Sequence, residues 1–222
     1  PGYLQAVRSD RLLDFAVEQG LVLELQVQPG AFLLRGEMIC RAFSKTELSE
    51  ELADALLACF VFGRFPTSEQ DMLFPIKQLA EMAIRALSPG INDPHTAIEC
   101  VDYLATSLCA VAGRSFPSPY RADAAGELRV ITPVHTFEEI LRVAFQQIHH
   151  YGREDVNVVS RIFLALQKIG ADASLDGARR DVLAGFTKEL LAKSESCASC
   201  EGDREQIRQA YQAAAKVHLQ AV

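Results

Sequence analysis

The chain has 222 residues and a mass of 24.4 kDa, which suits one large domain or a main domain with an appendage. Hydrophobic residues make up 49% and charged residues 23%, so a core can form without disulfide or metal staples. A net charge of −7 with no dense Lys/Arg cluster argues against nucleic acid as a partner, because phosphate neutralisation supplies most of that affinity.

In chain order, "SDRLLDFAVEQG" is an amphipathic helix, with Ser9 as N-cap and Gly20 as the left-handed residue after its end. Leu23, Leu25 and Val27 then alternate with polar residues, as in a half-buried strand. Pro29-Gly30 makes a turn and Gly36 a second bend. This rhythm resembles half of a barrel-sandwich fold of the biotinyl or lipoyl kind. No lysine sits between two short strands to carry a prosthetic group, and no cofactor is expected.

From residue 46 the pattern turns helical. "SEELADALLACFVF" begins as a helix and ends as a strand over 59–62. Thr67 or Ser68 caps a helix reaching Leu87, with Leu73, Ile76, Ala80, Ala83 and Leu87 as its apolar stripe. Pro75 in the second turn either delays the start or kinks the helix. Asp93 caps the next helix, with Pro94 at its first position, and that helix reaches Ala112. A Gly/Pro/Ser-rich stretch follows, holding a short strand "LRVIT". Thr136 and Glu139 form a capping box for a helix that stops at Gly152. Asp155 caps a helix ending at Gly170, and further helices cover 174–193 and 201–220. The fold class is α+β, mainly α. A small N-terminal β module with one helix spans 1–45, a helical domain spans 46–222, and a polar linker lies near 194–203.

Six cysteines are scattered, four of them in apolar stretches, which points to a reducing compartment rather than a disulfide framework. The longest apolar run, 55–62, is far short of the ~18 residues of a spanning helix. No signal peptide is visible, and the start at Pro1 reads as a fragment of something longer.

The segment "RALSPGINDPHT" at 85–96 has two readings. As a corner, Ser88-Pro89-Gly90 stops one helix and Asp93-Pro94 starts the next. As a site, Arg85, Ser88, Asn92 and Asp93 form a polar pocket for a small anion or substrate, aided by the free N–H groups of the helix start. Asp71, Gln78 and Arg85, spaced by seven, form a polar row opposite the apolar stripe. Met72, Leu79, Met82, Ile84 and Ala86 flank that row, which suggests burial against another element or subunit. Arg85 then pairs with a carboxylate such as Asp71 of a partner copy, or holds an anion in a bidentate fork. His149 and His150 point about 100° apart on a helix and make a poor chelate, even with His95 and His135 added. Cys197 and Cys200 form a lone CxxC, with only His218 after it, so no metal site is expected. There is no P-loop, dinucleotide fingerprint, GxSxG or HExxH.

"GYLQAV", "LLDFA", "VQPGAFLLRG", "FGRFPTSEQDMLFPIKQLAEMAIRALSPGINDPHTA" and "AFQQIHHYG" together resemble the extramembrane region of domain-of-unknown-function family 2254, predicted bacterial membrane proteins. The resemblance runs from Gly2 to about Gly170 and is most specific from Gly63 to Ala97. It implies transmembrane helices upstream of Gly2 and a family pattern at Arg64, Gln70, Asp71, Gln78, Arg85, Ser88, Pro89, Asn92, Asp93 and Pro94, all matched. Glu81 stands where aspartate is expected, and His149 where arginine is expected, which argues against a fixed catalytic role there.

The expectation is therefore a soluble domain of a membrane-anchored bacterial protein, cytoplasmic in location. It serves assembly, gating or ligand sensing, forms a homo-oligomer and has no enzymatic motif. The competing expectation is an anion-binding or enzymatic site around Arg85, Ser88, Asn92 and Asp93. A third is a metal or thiol site at Cys197 and Cys200.

Overall fold

The computed structural model describes residues 1–45, 49–172 and 174–219, with the side chains of 218 and 219 left aside. The described elements are β1 (Gly2–Val7), α1 (Ser9–Glu18), β2 (Val22–Leu25), β3 (Phe32–Leu33), β4 (Cys40–Phe43), α2 (Glu50–Leu57), β5 (Phe60–Gly63) and α3 (Leu73–Ala86). They continue with α4 (Pro94–Ala112), β6 (Tyr120–Ala122), β7 (Leu128–Ile131), α5 (Phe137–Gly152), α6 (Val156–Gly170), α7 (Gly177–Glu195) and α8 (Glu201–Leu219). The protein is mainly α with a smaller β portion, as expected. Two compact units form: Pro1–Phe74 with Phe116–His135, and Pro75–Ser115 with Thr136–Val222.

The first unit holds two sheets, ordered β3-β1-β5 and β4-β2-β7-β6. It is larger than the expected module over 1–45, because β5 pairs with β1 and β7 pairs in parallel with β2. Strand β1 lacks the turn signals that would have marked it, and β6 is too short to show an alternation. The chain changes sheets at Pro29-Gly30: β2 belongs to one sheet and β3 to the other, so the turn is not a hairpin. Leu4, Leu12, Ala16, Leu21, Leu23 and Phe60 make the core of this unit. Leu23 and Leu25 are buried as the alternation predicts, while Val27 lies just beyond β2.

Helix α1 ends as expected. Gly20 has φ +63°, its N–H reaches Val17 O, and Leu21 N–H reaches Ala16 O, which satisfies the last carbonyls. Its start corrects the sequence reading: Ser9 is the first helical residue, Arg8 holds the cap position, and no side chain caps it. The Ser9 hydroxyl turns back toward Val7 O at 3.5 Å.

The second unit is a stack of helices. Val101, Leu104, Phe145, Val159, Ile162 and Phe186 are at most 2% exposed in its core. Gly152 at the end of α5 lets α6 approach closely; a β-carbon there would stand 2.7 Å from Val158 Cγ1. Arg161 of α6 forks onto Asp102 of α4, with Nε at 2.6 Å from Oδ1. Three local caps are as expected: Asp93 accepts from Thr96 N, Thr136 from Glu139 N, and Asp155 from Asn157 and Val158 N. Helix α7 starts later than residue 174, since Asp172 takes Ser174 into a turn and Asp176 caps the helix. The polar linker near 194–203 joins two helices of one unit, as expected: α7 runs to Glu195 and α8 begins at Glu201. Gln220, the last residue of the expected final helix, lies outside the described residues.

Candidate functional site

Helix α3 begins at Leu73, six residues after Thr67. Neither Thr67 nor Ser68 caps it. The Thr67 hydroxyl is buried with no hydrogen-bond partner among the described residues. Pro75 delays the start, because a proline inside the first turns removes an N–H and crowds the preceding turn. The carboxylate of Asp71 instead accepts Leu73 N–H at 2.9 Å. Asp71 therefore precedes the helix and is 3% exposed.

That carboxylate rests on Gly30. A β-carbon at Gly30 would overlap Asp71 Oδ2 and come within 2.6 Å of its Cγ. Gly30 has φ +94°, and its N–H donates to Leu4 O at 2.7 Å. The Pro-Gly corner is thus both a turn and the seat of a buried aspartate.

Gln70, the preceding residue, clamps the end of β1. Val7 N–H donates to Gln70 Oε1 at 2.9 Å, and Gln70 Nε2 donates to Val7 O at 3.1 Å. Strand β3 pairs only with Gly2 and Tyr3, so beyond it the side-chain amide takes the place of a strand partner. Gln70→Ala leaves both Val7 groups unpaired and is expected to cost about 2 kcal/mol, read as a lower midpoint in urea unfolding. An unchanged midpoint would show that water replaces the amide at no cost. Arg64, in the same unit, is exposed and lines an open hollow of about 690 Å³ with Leu34, Arg35, Leu57 and Phe62.

The rest of the sequence-predicted set lies in the second unit. Gln78 is exposed. Arg85 is 77% exposed at its side chain and sits 3.6 Å from Glu81 one turn earlier. Within the described chain the row Asp71–Gln78–Arg85 is not a buried network, since its first member lies before the helix and the other two face outward. Arg85→Ala is expected to change the stability of the chain by less than about 0.5 kcal/mol, as for other exposed pairs. A larger loss in thermal unfolding would mean that Arg85 is held in a contact with another copy.

The corner engages its own polar groups. Ser88 Oγ donates to Arg85 O at 2.7 Å, Asn92 N to Ser88 O at 2.8 Å, and Asp93 N to Ala86 O at 2.8 Å. Asn92 adopts φ +50°, a left-handed conformation that asparagine tolerates better than most residues. Asp93 accepts from both the N–H and the hydroxyl of Thr96, and these bonds hold its carboxyl below the ordinary range.

His149 is 2% exposed in α5. Its Nε2 lies 2.7 Å from Ser194 Oγ, and Ser194 donates to Leu190 O at 2.9 Å. The serine proton is committed to Leu190, so Nε2 carries the hydrogen and the ring is a neutral donor. Burial, then the charges of Lys193 and Arg153, pull the imidazole down to about 4. His149 and His150 line a cleft of about 450 Å³ with Gln146, Tyr151, Arg153 and Lys193. Sequence reasoning missed Arg153 and Lys193. Their signal was a cation at or near the end of each of two helices, α5 and α7, which is weak without knowing that those ends meet.

His95 pairs with Glu99, and His135 belongs to the first unit. Cys200 caps α8, its Sγ accepting Asp203 N–H at 3.4 Å, and Cys197 lies 3.7 Å from Ser196 Oγ. Among the described residues no three His, Cys, Asp or Glu side chains are grouped to hold a metal ion.

The fold and these clamps define an α-rich protein with an appended β unit. The family model described as "Predicted membrane protein (DUF2254)" matches residues 1–168, and the chain belongs to that family. It is similar to uncharacterized proteins of Mycobacterium tuberculosis and Mycobacterium bovis. Each is 31% identical over 183 residues, covering 81% of this chain and 35% of the relative. The chain thus spans about a third of the length of the curated relatives it matches. No solved structure matches it. No described helix is long and apolar enough to cross a membrane.

Proposed function

We propose that this chain is an extramembrane region of a membrane-anchored protein, facing the cytoplasm and serving assembly, gating or ligand sensing through self-association. The observation that carries the reading is the match of residues 1–168 to a family of predicted membrane proteins, in relatives nearly three times as long as the matched segment. The cytoplasmic side is supported by six free thiols, as a reducing compartment maintains. Self-association is supported by large apolar side chains left in water, among them Phe65 at 75% and Ile91 at 62% exposure.

Cys200 is exposed and provides the test. In cells expressing the membrane protein that carries this region, a membrane-impermeant maleimide is expected to label Cys200 only after lysis, with the protein retained in carbonate-washed membranes. Labelling of intact cells would overturn the cytoplasmic side, and release by carbonate would overturn the anchoring. Light scattering of the 222-residue chain is expected to give a multiple of 24.4 kDa.

A further inference from the structure

We propose that the cleft between α5 and α7 binds a phosphate-class oxyanion, held by Arg153 and Lys193 with His150 and the Gln146 amide beside them. This goes beyond the membrane reading and stands or falls without it.

Three observations carry the inference. First, the cleft is cationic in an acidic chain. Its lining side chains are Gln146, Gln147, the two histidines, Tyr151, Arg153 and Lys193, with no carboxylate among them, against a net charge of −7 overall. At about 450 Å³ it lies within the range of small-molecule sites. Second, the two permanent cations converge. Arg153, just past the end of α5, and Lys193, in the last turn of α7, line the same cleft, so their fields overlap there. Third, Arg153 is not spent elsewhere: its guanidinium has no ion pair or hydrogen bond among the described residues. Five donors in a planar fork suit the tetrahedral oxygens of phosphate, and Lys193 adds a point charge. Arg179, another arginine at a helix end in this unit, illustrates the difference, since its Nη1 is committed to Ala112 O at 2.6 Å.

One group competes. Glu189 Oε1 stands 2.6 Å from Lys193 Nζ, and its other oxygen takes Arg142 at 3.0 Å. An incoming anion shares Lys193 with Glu189, so removing that carboxylate should tighten binding. His149 does not contact the anion through Nε2, which Ser194 occupies; it forms the neutral floor.

The test is calorimetric titration of the 222-residue chain with inorganic phosphate in a chloride buffer. The expected result is saturable binding that weakens about tenfold in Arg153→Gln or in Lys193→Gln, vanishes in the double variant, and strengthens severalfold in Glu189→Gln. Nitrogen-labelled wild type, which needs no variant to fold, is expected to show phosphate-dependent shifts centred on residues 146–153 and 193. Sedimentation with phosphatidic acid vesicles separates the sources. Capture that excess phosphate reverses assigns the site to a lipid headgroup, and binding of free phosphate alone assigns it to a soluble phosphate. Binding unchanged in the double variant, shifts centred elsewhere, or neither heat at about 10 mM phosphate nor vesicle capture would overturn the proposal.

Discussion

Lowering the pH from 7 to 4 is expected to cost the chain on the order of 3 kcal/mol of stability through His149 alone. The unfolded imidazole takes a proton at its ordinary value of 6.5, whereas the folded one waits until about 4. Between those values the unfolded state binds more protons, so stability rises with pH across that window and falls on acidification. The contribution is intact above 6.5 and fully lost below about 4. The cause is burial first, then the charges of Lys193 and Arg153, with Glu189 acting weakly in the opposite sense. Carboxyls held low by their bonds act further down, Glu189 beside Lys193 and Glu201 beside Arg204 from their ordinary value of 4.5 and Asp123 beside Arg129 and Asp172 beside Ser174 from 3.8, so the His149 loss is read between 6.5 and 4.5. His149→Gln keeps a donor for Ser194 and cannot titrate. Urea unfolding at pH 7, 5.5 and 4.5 is expected to show a steep loss in the wild type and a much flatter one in this variant. Equal slopes would show that His149 is protonated without penalty.

Gly30→Ala is expected to be the most damaging small substitution in the β unit, at roughly 3 kcal/mol, or a fall of about 6 to 12 °C in the melting temperature. Two costs add. A β-carbon at φ +94° is strained whatever surrounds it, and here it also drives into the Asp71 carboxylate. They can be separated. Asp71→Ala removes the obstacle but also the bond to Leu73 N–H, costing about 1 kcal/mol by itself. The double variant Gly30→Ala with Asp71→Ala is therefore expected to be less destabilised than the sum of the two. Strict additivity in that cycle would mean that backbone strain alone accounts for the glycine.

These two expectations rest on residues that the sequence marked but did not explain. Gly30 read as a turn residue and Asp71 as part of a polar row. Their partnership depends on the chain crossing between two sheets at Pro29-Gly30, which no local pattern encodes. The same holds for Gln70, whose partner Val7 is 63 residues away. Within the segment 63–97, which resembled a family most closely, Gln70 and Asp71 turn out to be backbone clamps of the β unit. Arg85, Ser88, Asn92 and Asp93 shape and cap a corner between α3 and α4.

What the sequence by itself determined is local. The caps at Asp93, Thr136 and Asp155, the left-handed Gly20, the apolar faces of the long helices and the family were all legible, because each depends on side chains within a few residues of the backbone they serve. What only the tertiary structure decided is which edges and ends meet. Strands β5, β6 and β7 join a unit begun by the first 45 residues, and Arg153 and Lys193 come to line one cleft with the buried His149. Such meetings are selected by burial of a shared core and by pairing of distant backbone groups. Those energies belong to the folded arrangement, not to any stretch of chain read alone.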